Sequence, residues 1–252
     1  MNIIAIANQK GGVGKTTTAV NLSSLLAEQG RRVVLVDMDP QANSTSGLGI
    51  SGDNSRASVQ DILNDPGAIK DALEETEFSG LQIIAARPEL AGAEVDLVNE
   101  LAREQRLKNA LQSLEVDYVI IDCPPALGLL TINALTAADE VLIPVQAEYY
   151  AMEGLGQLLQ TIQRIRQALN PDLNLLGVVM TMYDNRTSLS EQVLAEIEKH
   201  FPGKVFKTVI PRNVRLAEAP SHGRPIQHHD RRSKGAKAYK QLAKEVETRL
   251  NS

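Results

Sequence analysis

The sequence predicts an α/β fold in which a doubly wound, mainly parallel sheet is flanked by helices on both faces. Short apolar runs rich in β-branched residues alternate with stretches whose apolar residues recur at helical spacing. Two of these runs end on an aspartate, and the first run is followed by a glycine-rich turn. The 252 residues suffice for a full core, so we expect a single domain over residues 1–252.

The predicted elements follow from the apolar periodicity. Predicted strands cover residues 3–7, 33–36, 81–84, 118–121, 141–145, 175–182 and 205–210. Predicted helices cover residues 16–29, 58–64, 68–75, 129–138, 188–200 and 234–250, with further helical stretches within 89–112 and before 169. Residues 40–49 are polar and begin with Pro40, which cannot continue a strand, so a flexible loop is expected there.

The glycine-rich turn over residues 8–18 lies between the first predicted strand and the first predicted helix. Glycines let the backbone curl close to an anion, and the free amides at the helix start carry the positive end of the helix dipole. Lys15 would add positive charge at the terminal phosphates, and the Thr16 hydroxyl suits Mg²⁺. The pattern predicts a nucleoside triphosphate site made of Gly11, Gly12, Val13, Gly14, Lys15, Thr16 and Thr17.

This turn departs from the general pattern G-x-x-x-x-G-K-S/T in one respect. Gln9 stands where glycine is expected, and a second lysine, Lys10, follows it. The form resembles the deviant Walker A motif, K-G-G-x-G-K-S/T, of the ParA/MinD family of P-loop ATPases. The resemblance implies ATP and Mg²⁺ as cofactors and a homodimer that encloses two ATP molecules. In that dimer Lys10 would act catalytically on the partner's nucleotide, while Lys15 acts on its own.

Three aspartates follow predicted strands, and the carboxyl ends of parallel strands meet where ligands bind. Asp122 ends a run of four apolar residues, the Walker B arrangement, and would deliver a carboxylate to the Mg²⁺ shell. Asp37 and Asp39 lie in a Val-Asp-x-Asp-Pro-Gln stretch that again resembles the ParA family. The resemblance implies that Asp39 positions or activates the attacking water and that Asp37 supports Mg²⁺ or loop geometry. Helix or loop capping is the alternative role for both.

Charge is distributed unevenly along the chain. The net charge is −5, but residues 199–240 contain 11 Lys or Arg against two acids, a local +9. The remaining residues hold 15 basic and 29 acidic side chains, or −14. This asymmetry favours a polyanion-binding face in the C-terminal part, with a solvated basic surface as the alternative.

The stretch over residues 210–223 resembles chromosomal ParA/Soj-type partition proteins. The resemblance implies that Arg186 and Arg215 bind double-stranded DNA nonspecifically, through its phosphates, and that Pro211 and Asn213 lie beside the adenine. It also implies slow ATP hydrolysis that a ParB-type centromere-binding protein stimulates. The protein would be cytoplasmic and would associate with the nucleoid when bound to ATP. Pairing with surface acids is the alternative role for both arginines.

Several features exclude other classes of protein. No apolar run approaches the roughly 18 residues of a membrane span, so no membrane partner is expected. The first predicted strand begins almost at once, which leaves no room for a signal peptide or a separate N-terminal DNA-reading domain. One cysteine, Cys123, fits a reducing compartment.

Tyr149 and Tyr150 lie in another ParA-like stretch and are expected near the dimer interface or in the core.

Two other functions remain open from the sequence. A MinD-like membrane-surface ATPase would bind lipid through its last helix, over residues 234–250. Glu245 and Glu247 dilute the basic character of that helix, which favours packing onto the sheet instead. A metabolic ATP-dependent ligase on the same fold would need a pocket for a small-molecule acceptor.

Overall fold

The computed structural model describes residues 1–51, 56–148 and 153–251, so Tyr149 and Tyr150 lie outside the described residues. The described strands are β1 (Asn2–Ile6), β2 (Val33–Asp37), β3 (Leu73–Glu75), β4 (Leu81–Ile84), β5 (Tyr118–Asp122), β6 (Glu140–Gln146) and β7 (Asn174–Thr181). They form one sheet with the order β3-β4-β2-β5-β1-β6-β7. β3 pairs antiparallel with β4, and the other pairings of this sheet are parallel. The predicted doubly wound, mainly parallel sheet is confirmed.

Helices connect the strands and cover the sheet. The described helices are α1 (Lys15–Glu28), α2 (Asn43–Gly47), α3 (Val59–Asn64), α4 (Ile69–Ala72), α5 (Leu90–Asp96), α6 (Arg106–Leu111), α7 (Leu129–Ala137), α8 (Glu153–Ala168), α9 (Ser188–His200), α10 (Val214–Glu218), α11 (Ile226–His229) and α12 (Lys234–Leu250). Short 3₁₀ turns lie at Pro66–Ala68, Leu97–Asn99, Arg103–Gln105 and Ala219–His222.

Each face of the sheet buries its own apolar cluster. Successive residues of a strand point to opposite faces, so Ala5 lies in one cluster while Ile4 and Ile6 lie in the other. The first cluster includes buried side chains from α3 and from α5 to α9. The second includes the buried side chains of α1 and α12. Helices therefore cover both faces, as predicted.

The last helix, α12, packs its apolar stripe against the sheet. Tyr239, Leu242 and Val246 are each at most 1% exposed, and the Tyr239 hydroxyl lies 3.1 Å from Thr18 Oγ1. This confirms the predicted packing of the helix. In the part of the chain that the structure describes, no helix combines the length and apolar character needed to cross a bilayer.

The prediction of a regular strand at residues 205–210 is wrong. The segment runs beside β7 and joins it through isolated bridges and a few backbone hydrogen bonds near its two ends. Between them, the Lys207 and Thr208 amides donate to the Glu245 carboxylate of α12, at 2.9 and 3.1 Å. A side chain from a helix thus takes hydrogen bonds that a strand would give to its neighbour.

Two shorter predictions are wrong in part. The helix predicted over residues 68–75 ends at Ala72, because the following residues pair with β4 as the short strand β3. The loop predicted over residues 40–49 contains the helix α2, whose side chains bind the aspartates of β2 and β5. In both places contacts with distant residues override the local composition.

Candidate nucleotide-binding site

The turn between β1 and α1 lines a cavity of about 460 Å³ at the carboxyl ends of the central strands. The turn itself contributes Gly11, Gly12, Gly14, Lys15, Thr16 and Thr17. Gly12 and Gly14 have φ angles of 74° and 90°, a left-handed backbone that favours glycine. Six of the seven predicted phosphate-binding residues of the turn therefore face one cavity, at the N-terminus of a 14-residue helix.

Thr181, at the end of β7, holds the turn from behind. Its hydroxyl donates to the Val13 carbonyl at 2.8 Å, and its methyl group lies 3.6 Å from the position a Cβ would take on Gly14. The side chain of Val13 is buried and does not line the cavity. The sequence analysis missed Thr181, because a threonine at the end of an apolar strand carries no signal of its own.

Lys15 is buried at the base of the cavity and stays close to the turn. Its ammonium group donates to the Lys10 carbonyl at 3.0 Å. Burial lowers the pKa of Lys15, while the nearby Asp122, Cys123 and Asp39 act in the opposite direction. A lysine in this position faces phosphate oxygens that bind at the amides of α1.

The side chain of Lys10, unlike that of Lys15, points away from the cavity. Its ammonium group forms an ion pair with Glu148 of the same chain, and it does not line the cavity. The predicted action of Lys10 on a partner's nucleotide therefore requires this ion pair to open. Glu148 carried no signal in the sequence, since it lies 138 residues from Lys10.

Asp37 and Asp122 lie opposite each other on the neighbouring strands β2 and β5. Asp37 accepts hydrogen bonds from the Thr45 amide and hydroxyl, both at 2.8 Å, and from the Asp39 amide at 3.2 Å. Burial raises the pKa of Asp37 to about 6 against the effect of these hydrogen bonds. Both oxygens of Asp37 thus hold the loop that follows β2, which favours the loop-geometry alternative for this residue.

Asp122 has a different environment. The Ser44 hydroxyl donates to its Oδ2 at 2.7 Å, whereas its Oδ1 is buried and accepts no hydrogen bond from the described residues. Burial and then repulsion from Asp37 raise the pKa of Asp122 to about 7, while Ser44, Thr16 and Lys15 lower it.

Thr16 lines the cavity, and beside it lies Asp122, whose Oδ1 accepts no hydrogen bond from the described residues. These two side-chain oxygens fit a Mg²⁺ ion, which prefers hard oxygen ligands. Asp122 and Thr16 are the residues of this structure that would hold such an ion. In the described part of the chain no group of three or more His, Cys, Asp and Glu side chains could hold a metal alone. Bound phosphates and water would complete the coordination, as is usual for Mg²⁺ at nucleotide sites.

Asp39 lies at the wall of the cavity that Lys15 also lines, and it is 8% exposed. The Gln41 amide donates to its Oδ1 at 2.9 Å, which fixes the orientation of the side chain. Cys123 is 1% exposed, and burial raises the pKa of its thiol well above the usual range, so it acts as a packed residue.

The cavity is also lined by residues from beyond β7, namely Met182, Ala219, Pro220 and Arg224. The predicted adenine neighbours Pro211 and Asn213 are not among the lining residues. Asn213 is the N-cap of α10, where its Oδ1 accepts the Arg215 amide at 2.9 Å. The assignment of Pro211 and Asn213 to the base stays a prediction.

The two predicted DNA-binding arginines lie on the surface and pair with acids. Arg186 is 85% exposed, and its guanidinium makes two hydrogen bonds to the Asp184 carboxylate, at 2.9 and 2.7 Å. Arg215 is 57% exposed and pairs with Glu218 at 2.8 Å and with Asp230 at 3.6 Å. The pairing that the sequence analysis gives as an alternative is present in the structure, at positions open to solvent.

Comparison with known proteins identifies the class of this fold and site. A family model described as "AAA domain" matches residues 1–175. A structure described as cobyrinic acid a,c-diamide synthase from Mycobacterium smegmatis, with bound ADP and magnesium, matches with a TM-score of 0.87 and 41% identity. That match covers 100% of this chain and 96% of the other. The MinD cell division ATPase of Pyrococcus furiosus matches with a TM-score of 0.77 and 28% identity, over 98% of both chains. The fold and site are those of a P-loop ATPase of the ParA/MinD type.

Curated relatives narrow the family further. The chain is 58% identical over 246 residues to the sporulation initiation inhibitor protein Soj of Bacillus subtilis. The matched region covers 97% of both chains. It is 54% identical to the chromosome partitioning protein ParA of Myxococcus xanthus, over 97% of this chain and 87% of that protein. The chain belongs to the Soj/ParA family of chromosome partitioning ATPases.

Proposed function

We propose that this chain is an ATP-dependent DNA-segregation ATPase whose ATP-bound homodimer binds DNA nonspecifically. The cavity carries the proposal, because the α1 turn, Lys15 and Asp39 line it together with Thr16, whose side chain lies beside the buried Asp122. Two relatives named chromosome partitioning protein ParA are 54% and 50% identical to it. Residues 1–252 act in this proposal as one ATPase domain.

The residues of the site divide the chemistry between them. The turn amides and Lys15 bind the phosphates, and Thr16 and Asp122 hold Mg²⁺, which neutralises phosphate charge when bound. Asp39, oriented by the Gln41 amide, accepts a hydrogen bond from the attacking water and directs it at the terminal phosphate. The position of Asp39 at the cavity wall supports this role.

Dimerisation adds the second lysine. Lys10 leaves Glu148 and contacts the nucleotide of the partner, where it offsets charge that develops on the transferred phosphoryl group. The ion pair is partly exposed, with 37% and 32% of the two side chains accessible, so exchange of a carboxylate for a phosphate needs little desolvation. A ParB-type partner stimulates hydrolysis in this scheme.

DNA binding follows from dimerisation. Exposed ion pairs are weak, so the phosphates of DNA replace Asp184 and Glu218 as partners of Arg186 and Arg215. Contacts to phosphates give affinity without sequence preference. A dimer doubles the number of neutralised phosphates and therefore binds where a monomer does not, which places the ATP-bound protein on the nucleoid.

Binding to nonspecific duplex DNA with ATP, with ADP and without nucleotide tests this proposal. We expect binding only with ATP and Mg²⁺, retained in Asp39→Ala and lost in Lys15→Ala and Arg215→Glu. Where low salt restores measurable binding of Arg215→Glu, its plot of log K against log salt should be flatter than that of the wild type by roughly two units for the dimer. Lys70→Glu on α4 is the control, since it reverses another exposed positive charge outside residues 199–240. Equal binding with and without ATP would separate DNA binding from the dimer and refute the proposal.

A metabolic ligase remains as a second candidate because one matching structure is described as a diamide synthase. In such an enzyme, ATP turnover would depend on a small-molecule acceptor. ATP hydrolysis measured without any acceptor separates the two, since the segregation ATPase hydrolyses ATP in its absence. The membrane-surface alternative has less support, because the apolar stripe of α12 is buried.

A further inference from the structure

Three exposed apolar side chains lie close together after β4. Val95, Val98 and Leu101 are 73%, 53% and 89% exposed. Two of them line a groove of about 550 Å³ between the end of α5 and α7, here called the α5 groove. The α5 groove is lined by Glu94, Val95, Val98, Arg103, Glu104, Leu129 and Ile132. Clustered exposed apolar residues of this kind mark surfaces that another molecule covers.

The chain segment that contributes most of the α5 groove is acidic. Residues 89–104 contain five acids and one arginine, a net charge of −4. That arginine, Arg103, is occupied by Glu104 at 2.9 Å and by the Val98 carbonyl at 2.5 Å. Within the described residues, Glu94 and Asp96 form no ion pair and accept hydrogen bonds only from uncharged amides. A cationic occupant would therefore find carboxylates without a competing cation.

Glu94 connects the α5 groove to the nucleotide site. Its Oε1 accepts the Leu130 amide at 3.2 Å, in the first turn of α7. Its carboxylate also lies against Gly128, where any Cβ would collide with it. Gly128 ends the connection from Asp122, the last residue of β5, to α7, so Glu94 contacts the segment that follows the buried carboxylate.

We propose that the α5 groove docks a cationic amphipathic segment of a partner protein. Apolar side chains of the segment cover Val95, Val98 and Leu101, and its Lys or Arg side chains pair with Glu94 and Asp96. A symmetric contact between two copies of this chain would set two acidic rims against each other, which repulsion opposes. In the proposed function, this segment belongs to the partner that stimulates hydrolysis. Only that effect on hydrolysis rests on the proposed function, whereas the docking itself does not.

Peptide binding tests the docking directly. The probe is a fluorescein-labelled 18-residue peptide of Leu, Lys and Ala with its leucines on one helical face, titrated against the full chain. Two matched peptides carry scrambled leucines or Glu in place of Lys. We expect binding of the first peptide alone, weakened about tenfold by Val95→Ser with Leu101→Ser and similarly by Asp96→Lys. Val214→Ser on α10 removes an equally exposed valine, 71% accessible, and should leave the affinity within about twofold.

Two outcomes would overturn the docking proposal. One is unchanged peptide affinity in both groove variants, and the other is a change of oligomeric state in light scattering, which would assign the α5 groove to contacts between copies. ATP-dependent DNA binding of the same variants is measured in parallel. Groove variants that lose peptide binding but retain ATP-dependent DNA binding support the docking site. Peptide binding without any DNA binding also supports the docking site, and it refutes the segregation proposal alone.

Discussion

At the scale of single residues, the site depends on the different environments of two carboxylates in adjacent strands. Asp37 is satisfied by three hydrogen bonds from its own loop, whereas one buried oxygen of Asp122 accepts no hydrogen bond from the residues that the structure describes. Such an oxygen costs stability unless a cation or donor binds it. The residue that would bind Mg²⁺ is thus one that the folded protein alone does not fully satisfy.

A prediction about pH follows from Asp122. Its pKa is raised to about 7, above the value of the unfolded chain, so the folded state binds this proton more tightly. The resulting loss of stability grows as pH rises from about 4 and is complete above about 7. The experiment uses protein from which nucleotide has been removed by dialysis and Mg²⁺ by chelation. Asp122→Asn should then raise the free energy of unfolding by roughly 1–3 kcal/mol at pH 8 and by less at pH 5.

Urea unfolding at the two pH values checks this prediction. Asp139→Asn is the control, because the Asp139 carboxylate also accepts a hydrogen bond, from the Ile3 amide, but lies at the opposite end of the sheet. A stabilisation of Asp122→Asn that is equal at both pH values would contradict the assigned cause.

At the scale of elements, α12 contributes more than apolar burial. Glu245 accepts the amides of Lys207 and Thr208 and pairs with Arg249 one turn further along the helix. These contacts replace the regular strand that the apolar run at 205–210 predicts. The apolar run correctly indicates burial. The acceptors of its backbone amides, however, are set by a helix almost forty residues away in sequence.

We therefore expect Glu245→Ala to destabilise the protein by roughly 1–3 kcal/mol, since two backbone amides lose their acceptor. Thermal and urea unfolding measure this change. Glu247→Ala is the matched control on the same helix, because among the described residues Glu247 forms an ion pair with the exposed side chain of Arg31 alone, and the effect should be smaller. Equal losses in the two variants would contradict the role given to the amides.

At the scale of the whole molecule, the proposed cycle depends on which partner holds Lys10. The ion pair with Glu148 keeps this lysine within its own chain, and the proposed dimer needs it on the other. The two arrangements exclude each other, so the ion pair acts against dimerisation.

Glu148→Gln should favour the ATP-bound dimer, because it removes the charge that retains Lys10. We expect the dimer dissociation constant to fall by roughly three- to tenfold, measured by analytical ultracentrifugation with ATP in the Asp39→Ala background. Glu77→Gln, at another exposed glutamate, is the control. A weaker dimer in Glu148→Gln would show that Glu148 itself supports the interface.

The sequence by itself determined the sheet class, the phosphate-binding turn and the aspartates that follow β2 and β5. These features are local, since strand periodicity, glycine at left-handed positions and a carboxylate after an apolar run lie within a few residues of one another. Only the tertiary structure decided that Ser44 and Thr45 separate the roles of Asp122 and Asp37, that Thr181 supports the turn and that Lys10 pairs with Glu148. The reason is physical: the polar groups in these contacts are brought together by the order of strands in the sheet, and no local pattern records which distant residue becomes a neighbour.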